Sequence, residues 1–232
     1  MIDFNAKKGF ICDMDGVIYH GNRILPGVVE FIDWLQANGK GYLFLTNNSG
    51  CTPKELNQKL TRMGLDVPEE HFYTSALATA AFIKEQSPGC SAYVIGEAGL
   101  LNALYDAGIT MNDVNPDYVI VGEGKAYSLD TLTKATNLVM AGAKLIGANS
   151  DISGPIENGI APACRALIAP IEMATGTQAY FCGQWAMNIL NNLPLGRGGH
   201  DRRPHGHRCH FRHGKRYVHG ARYVRHFHPQ DA

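Results

Sequence analysis

The alternation of apolar and polar positions along the chain predicts strands and helices in turn. Gly9–Cys12 is a short apolar run, as expected of a buried parallel strand, and Gly41–Leu45 is a second such run. An amphipathic helix is predicted between them, because four apolar residues recur at the spacing i, i+3, i+4 and i+7: Val28, Phe31, Ile32 and Leu35. Strand, helix and strand at this spacing indicate a right-handed crossover within a parallel sheet.

A second helix is predicted to begin after the second strand. Thr52 stands at the N-cap, Pro53 at the first helical position and Glu55 two residues later, which is the pattern of a capping box. The same alternation continues through the chain, with strands predicted at 93–95, 118–121, 145–147 and 180–182 and helices at 100–107, 128–141, 163–174 and 185–193. The chain is therefore predicted to have an α/β fold.

Two polar clusters follow the first two predicted strands. The first is Asp13-Met14-Asp15-Gly16, and the second is Thr46-Asn47-Asn48-Ser49. Neighbouring parallel strands end at the same edge of a sheet, and open α/β sheets bind their ligands at that edge. The two clusters are therefore expected to lie close together.

The chemistry of the first cluster suits phosphoryl transfer. Asp13 can attack phosphorus to form an aspartyl-phosphate, and Asp15 can protonate the leaving oxygen and then activate water. Gly16 allows the backbone to turn away at once. The alternative interpretation of this motif is a solvated turn between a strand and a loop.

The second cluster suits a bound phosphate. The Thr46 hydroxyl, with the backbone N–H groups of Asn47 and Asn48, can hold a dianionic phosphoryl group, and the positive end of the helix that begins at Pro53 lies nearby in sequence. The alternative is an Asn-rich turn. Farther along, Asn149 and Asp151 follow a predicted strand end and are candidates to reach a leaving group, although a simple turn explains them equally well.

Taken together, these motifs resemble the haloacid dehalogenase superfamily, and within it the NagD-type phosphatases. The resemblance runs from about Gly9 to Gly183, through ICDMDGVIYHGN, LFLTNNSG, FYTSALATAAF, YVIGEAGL, DVNPDYVIVGE and GIAPACRALIAPIEMATG. It implies a Rossmann-like parallel-sheet core (1–90 and 178–193) with an inserted α/β cap domain (91–177). It also implies that Asp13 is the nucleophile and a Mg²⁺ ligand, that Asp15 is the acid/base and meets Mg²⁺ through its backbone carbonyl, and that Thr46 holds the phosphate.

The function that this resemblance implies is magnesium-dependent hydrolysis of small phosphomonoesters, either nucleotide monophosphates or sugar phosphates. The expected partner is a small phosphorylated metabolite, with no nucleic acid and no membrane. Six scattered cysteines without a CxxC pair indicate a reducing compartment, so a cytoplasmic location is expected.

The sequence departs from the family after the cap. Where the family has a lysine in Gly-Lys-Pro, this chain has Gly183-Gln184-Trp185, and the acidic Gly-Asp-x-x-x-x-Asp motif that completes the magnesium site does not occur. Composition changes here as well. Residues 1–196 hold 12 Lys and Arg against 19 Asp and Glu, whereas residues 197–232 hold 9 against 2 together with eight of the ten histidines.

A shifted reading frame explains this tail, residues 194–232. Codons permitted by Gly199–Val218, read one base out of frame, allow VMIGDRMDTDVISGMESGM, which contains the missing acidic motif. The alternatives are a His-rich metal-binding tract or a basic nucleic-acid patch. The alternative to an active phosphatase is a catalytically crippled product with at most weak phosphate binding. A tail without apolar periodicity is also expected to leave an edge of the core sheet open.

Overall fold

The computed structural model describes residues 4–7, 9–125, 127–156 and 158–182, and the backbone alone of 208–213 and 216–224. The chain divides into two units. The first comprises 1–46, 54–73 and 189–232, and the second comprises 47–53 and 74–188. The division falls at 73/74, earlier than the predicted boundary at 90/91. The core and cap limits that the sequence suggests stay a prediction.

The first unit is built on two parallel strands and two helices. β1 (Gly9–Asp13) pairs in parallel with β4 (Gly41–Thr46), and a short hairpin of β2 (Tyr19–His20) and β3 (Arg23–Ile24) follows β1. The helices are α1 (Val28–Ala37) and α2 (Pro53–Arg62), and β5 (Phe72–Thr74) lies beside β4 after a single 3₁₀ turn (Glu69–His71). The predicted strand–helix–strand–helix order is therefore confirmed.

Aromatic packing joins β1 to α1. The Phe10 ring makes edge contacts with Phe31 at 5.6 Å and with Trp34 at 5.7 Å between ring centroids. Edge-to-face pairs of this kind stabilise beyond the area that they bury. Of the predicted buried stripe of α1, Ile32 and Leu35 are fully buried and Phe31 is half-buried. The helical periodicity in the sequence thus identified the face that packs on the sheet.

The tail contributes two strands to the first unit. β13 (Arg208–His213) and β14 (Arg216–Val224) form an antiparallel pair, and β14 pairs antiparallel with β1. The sheet order is β13-β14-β1-β4-β5. The prediction of an open edge is wrong at β1, because backbone N–H and C=O groups can pair with an edge strand whatever side chains the partner carries. The predicted helix at 185–193 and the Gly183-Gln184-Trp185 segment lie outside the described residues.

The second unit contains a five-stranded parallel sheet. Its strands are β6 (Ser91–Ile95), β7 (Thr110–Met111), β8 (Tyr118–Val121), β9 (Lys144–Gly147) and β12 (Tyr180–Phe181), in the order β12-β9-β8-β6-β7. Four helices accompany them: α3 (Ser75–Gln86), α4 (Ala98–Asp106), α5 (Leu129–Met140) and α6 (Cys164–Thr175). The hairpin β10 (Ser153–Ile156) and β11 (Gly159–Pro162) precedes α6.

Helices cover both faces of this sheet. Alternate residues of β8 lie on opposite faces of the sheet, because successive side chains of a strand point to opposite sides. Tyr118 and Ile120 belong to a core cluster with α3 and α4, whereas Val119 and Val121 belong to a cluster with α5 and α6. All four residues are buried, which explains why the strand reads as a continuous apolar run. The second unit is therefore an α/β structure, as the sequence predicts, and its layers are helix, sheet and helix.

Helix ends in this unit follow local sequence signals. Ser128 caps α5, accepting a hydrogen bond from the Thr131 N–H, and Thr131 closes a reciprocal capping box. α6 ends at Gly176, whose φ of 69° is the left-handed conformation that glycine adopts without strain. Among the helices that the structure describes, none is long and apolar enough to span a bilayer.

Replacing Leu100 tests the core on the α3/α4 side. Leu100 is fully buried, and we expect Leu100→Ala to lower the free energy of unfolding by about 2–5 kcal/mol because it leaves a cavity. The matched control is Leu101→Ala, whose side chain is 38% exposed and whose loss should cost about 0.5 kcal/mol or less. Urea denaturation followed by circular dichroism measures both. Equal losses would contradict the proposed core.

Candidate active site

The two aspartates of the first cluster lie on the same side of the chain. Asp13 is the last residue of β1, and Asp15 follows two residues later. Both are exposed, while Met14 between them is fully buried. Because an extended chain alternates its side chains, the buried Met14 directs both carboxylates to the opposite, solvent-facing side.

Backbone hydrogen bonds hold the turn that follows. The Met14 carbonyl oxygen accepts from the N–H groups of Val17 at 3.2 Å and Ile18 at 2.9 Å. Gly16, with φ of 76°, donates its N–H to the Tyr19 carbonyl oxygen at 2.8 Å. This positive φ explains the glycine in the motif, since other residues adopt it only with strain. The sharp turn that the sequence predicts after Asp15 is present.

The carboxylate of Asp13 has a defined orientation. Its Oδ1 accepts a hydrogen bond from the backbone N–H of Met14 at 2.8 Å. A hydrogen bond from a backbone N–H stabilises the ionised form of a carboxylate, which is the form that acts as a nucleophile.

Thr46 ends the neighbouring strand at nearly the same level. The parallel register pairs Asp13 with Leu45, so Thr46 lies one residue beyond the end of β1. Adjacent strands are separated by about 4.8 Å, which brings the two strand ends close to each other. Thr46 is buried. Within the first unit the register therefore places Asp13 and Thr46 at neighbouring strand ends, with Asp15 two residues after Asp13.

Asn48 forms a turn with its own backbone. Asn47 and Asn48 belong to the second unit, although they follow Thr46 directly in the chain. The Asn48 Oδ1 accepts hydrogen bonds from the N–H groups of Gly50 at 2.8 Å and Cys51 at 3.2 Å. This is the side-chain turn that asparagine favours. The alternative interpretation of the motif, an Asn-rich turn, thus describes the conformation of Asn48.

Asn47 is held through both its side chain and its backbone. Its Nδ2 donates to Asp151 Oδ2 at 2.8 Å. Its carbonyl oxygen accepts from Ser75 Oγ at 2.7 Å and from Asn149 Nδ2 at 2.6 Å. Asn149 and Asp151, predicted as candidates to reach a leaving group, therefore both contact Asn47, and their contact with a leaving group stays a prediction.

A polar network extends from Asn149 across the strand ends of the second unit. Asn149 Nδ2 also donates to Glu123 Oε1 at 2.9 Å, and the Glu123 N–H donates to Ser49 Oγ at 2.8 Å. Asn149 is 1% exposed and Ser49 is fully buried. Ser49, Ser75 and Glu123 were not among the site residues predicted from the sequence. Glu123 could have been identified from its position in the sequence, because Glu123 and Asn149 follow the carboxyl ends of the adjacent strands β8 and β9.

A glycine allows the Asn47–Pro53 segment to approach α4 closely. The Gly99 N–H donates to the Gly50 carbonyl oxygen at 3.0 Å. A Cβ atom at Gly99 would lie 2.6 Å from the carbonyl carbon and oxygen of Cys51, far inside normal contact distance. Only glycine fits at this position.

Two buried cysteines of the second unit are poorly suited to nucleophilic chemistry. Burial raises the pKa of the Cys164 thiol to about 11 and that of Cys182 to about 12, so both stay protonated near neutral pH and do not supply a thiolate nucleophile. Within the residues that the structure describes, no group of three or more His, Cys, Asp or Glu side chains could hold a metal ion.

Comparison with known proteins identifies relatives of this chain. Residues 10–110 match the family model described as haloacid dehalogenase-like hydrolase. The chain is 42% identical to dihydroxyacetone phosphatase of Corynebacterium glutamicum (strain R) over 175 residues, covering 75% of this chain and 64% of that protein. It is 44% identical to ribonucleotide monophosphatase NagD of Escherichia coli K12 over 177 residues, covering 76% of this chain and 69% of that protein.

Solved structures agree with these matches. NagD from E. coli K-12 superposes with a TM-score of 0.73 at 42% identity, covering 80% of this chain and 74% of that chain. A glycerol phosphate phosphatase from Mycobacterium tuberculosis, crystallised in complex with magnesium, superposes with a TM-score of 0.72 at 25% identity, covering 78% of this chain and 56% of that chain.

The close approach at Gly99 gives a test of the site geometry. We expect Gly99→Ala to displace the segment that contains Asn48 and to lower the free energy of unfolding by about 1–3 kcal/mol, the usual cost of overpacking. Gly154→Ala is the matched control, because a Cβ there meets nothing within 4 Å. Thermal denaturation compares the two variants. A neutral Gly99→Ala would show that the segment does not lie against α4.

Proposed function

Because this chain belongs to the haloacid dehalogenase-like hydrolases of the NagD type, we propose that its site is that of a phosphatase acting on small phosphomonoesters. The observation that supports this most directly is the pair of exposed carboxylates, Asp13 and Asp15, separated by a buried Met14 at the carboxyl end of β1. The activities of the relatives, a ribonucleotide monophosphatase and a dihydroxyacetone phosphatase, favour two substrate classes, nucleotide monophosphates and small sugar-type phosphates.

The reaction proceeds in two displacements. In the first, a carboxylate oxygen of Asp13 forms a bond to phosphorus while the bond from phosphorus to the ester oxygen breaks, and Asp15 gives its proton to that oxygen. In the second, Asp15 takes a proton from water, whose oxygen attacks phosphorus and releases Asp13. Inorganic phosphate and an alcohol are the products.

Thr46, Asn47 and Asn48 bind the phosphoryl group in this proposal. The hydroxyl of Thr46 supplies one hydrogen bond, and the backbone around Asn47 and Asn48 supplies N–H donors. The side chain of Asn47 is engaged with Asp151, and the side-chain oxygen of Asn48 is engaged in its own turn. We therefore assign their contribution to the backbone.

Magnesium is the proposed cofactor. The carboxylate of Asp13 and the backbone carbonyl of Asp15 are oxygen ligands of the kind that Mg²⁺ takes, and Mg²⁺ commonly uses one or two carboxylates with water and substrate phosphate. When bound, the ion would offset the negative charge of the phosphoryl group and Asp13. The magnesium complex of the mycobacterial relative supports this assignment.

A second candidate function is a catalytically crippled chain that binds phosphate weakly. The observation that favours it is the sequence after the cap, where Gln184 replaces the family lysine and the acidic Gly-Asp-x-x-x-x-Asp motif is absent. Asp13 and a phosphoryl dianion repel each other unless a cation lies between them. We propose that a one-base frame change produced this segment.

Substitution of Asp13 tests the assignment of the nucleophile. We expect Asp13→Asn to abolish hydrolysis of p-nitrophenyl phosphate, both the residual activity of this chain and the activity of a frame-restored chain, because an amide is a poor nucleophile. Asp33→Asn, which changes an exposed aspartate of α1 in the same unit, is the matched control and should leave the rate unchanged. Undiminished activity in Asp13→Asn would refute the assignment.

Restoring the reading frame should restore the enzyme. We expect the 232-residue chain to hydrolyse phosphomonoesters negligibly, since losing one preorganised electrostatic group typically costs about 10²–10³ in rate and two are missing here. A chain with Lys-Pro reinstated after Gly183 and the tail read in the shifted frame should turn over p-nitrophenyl phosphate with magnesium.

Two results would contradict this prediction. One is full magnesium-dependent turnover by the chain as it stands, and the other is a well-folded restored chain without activity. The coding DNA provides an independent check, because a one-base insertion or deletion near codon 193, where the tail begins, supports the frame change, whereas a shifted frame without the acidic motif favours a genuine basic tail.

A further inference from the structure

Two buried side chains converge on a single backbone oxygen in the second unit. The Asn47 carbonyl oxygen accepts hydrogen bonds from Ser75 Oγ at 2.7 Å and from Asn149 Nδ2 at 2.6 Å. These donors lie 28 and 102 residues away in the chain. A carbonyl oxygen has two lone-pair positions, so both are used here.

We infer that Ser75 and Asn149 are positioning residues, which fix the orientation of the peptide group between Asn47 and Asn48. Their role in catalysis rests on the proposed function, in which this peptide group belongs to the phosphate-binding segment. Neither residue touches the reacting atoms in this proposal. They act through the backbone that follows Thr46.

Because the peptide group is planar, fixing the direction of its carbonyl oxygen also fixes the direction of its N–H. In a trans peptide the C=O and the N–H of the same group point in opposite directions within one plane. The structure contains no cis peptide bond among its described residues. Because the Asn47 carbonyl oxygen points toward Ser75 and Asn149, the Asn48 N–H points in the opposite direction. In this way the two donors determine the position at which a phosphate can accept a hydrogen bond from that N–H.

The donors are themselves held in place. Ser75 is the first residue of α3 and is 3% exposed, and Asn149 is 1% exposed. Asn149 accepts the Asp151 N–H on its Oδ1 at 3.0 Å and donates to Glu123 as well, so its amide cannot rotate without breaking further bonds. Hydrogen bonds in such a buried network are stronger than in water.

The side chain of Asn47 is anchored separately. Its Nδ2 donates to Asp151 Oδ2 at 2.8 Å. Asn47 is thus fixed at two points, its side-chain amide and its backbone carbonyl, and both are held by residues of the second unit. A rigid backbone at this position supports binding because it does not have to be ordered when a ligand arrives.

NMR spectroscopy of the full-length chain tests the inference directly. We expect Ser75→Ala and Asn149→Ala each to move the Asn47 carbonyl ¹³C resonance upfield, as loss of a hydrogen bond does, and to shift the Asn48 amide resonance. Asn112→Ala is the matched control, because Asn112 makes the same kinds of side-chain-to-backbone bonds elsewhere in the second unit. Ser75→Thr keeps the hydroxyl and should restore the parent resonance.

Titration with inorganic phosphate and magnesium chloride gives the functional readout. In each alanine variant we expect the phosphate-induced shift of the Asn48 amide to require about two- to tenfold more phosphate, the range of one ordinary hydrogen bond. The double variant should weaken binding by less than the product of the two single effects, because both donors act on one oxygen.

The outcomes separate this inference from the proposed function. Unchanged Asn47 and Asn48 resonances in folded Ser75→Ala would overturn the inference even if Asn149→Ala fails to fold. Altered resonances with unchanged phosphate affinity would also overturn it. A parent chain whose Asn48 amide does not respond to phosphate would refute phosphate binding by this segment, while the Asn47 resonance would still decide whether Ser75 and Asn149 orient the peptide group.

Discussion

The parallel pairing of β1 with β4 is the interaction on which the proposed site depends. Its register sets Asp13 opposite Leu45, so two polar segments that are about thirty residues apart in the chain end at one sheet edge. A shift of one residue would exchange the two faces of β1 and bury Asp13 in place of Cys12. The register is held by side chains on both sides of the pair, because Phe10 packs on α1 and Phe44 lies in the buried core.

The second unit places polar groups at strand ends in the same way but uses them differently. Glu123 and Asn149 follow neighbouring strands and bond to each other, and Asn149 also bonds to the backbone of Asn47. In the first unit the carboxylates at the strand end are exposed, whereas in the second unit Asn149 is buried and its side chain is hydrogen-bonded to neighbouring residues. Exposed groups are suited to chemistry, and satisfied buried groups are suited to holding backbone in place.

Much of the fold follows from periodicity, because most strands and helices here have one clearly buried stripe or a continuous buried run. α1 and β8 are examples, and both were predicted close to their observed bounds. α3 was missed because alanine and threonine give it little contrast between faces, although Ala76, Ala80 and Ile83 are buried. The roles of Ser75 and Asn149 depend on contacts between distant segments, which no local pattern contains.

The completeness of the parallel sheet of the second unit has a consequence for synthesis on the ribosome. The five strands of this sheet and the four helices that the structure describes in this unit lie between residues 74 and 182, before the sequence departs from its relatives. Domains generally fold as units, so the described core of this unit can close without any contribution from residues 208–224. The first unit, by contrast, takes two strands of its sheet from Arg208–His213 and Arg216–Val224, so its sheet is complete only after these residues have been synthesised. The two units are therefore expected to differ in when they become stable during synthesis.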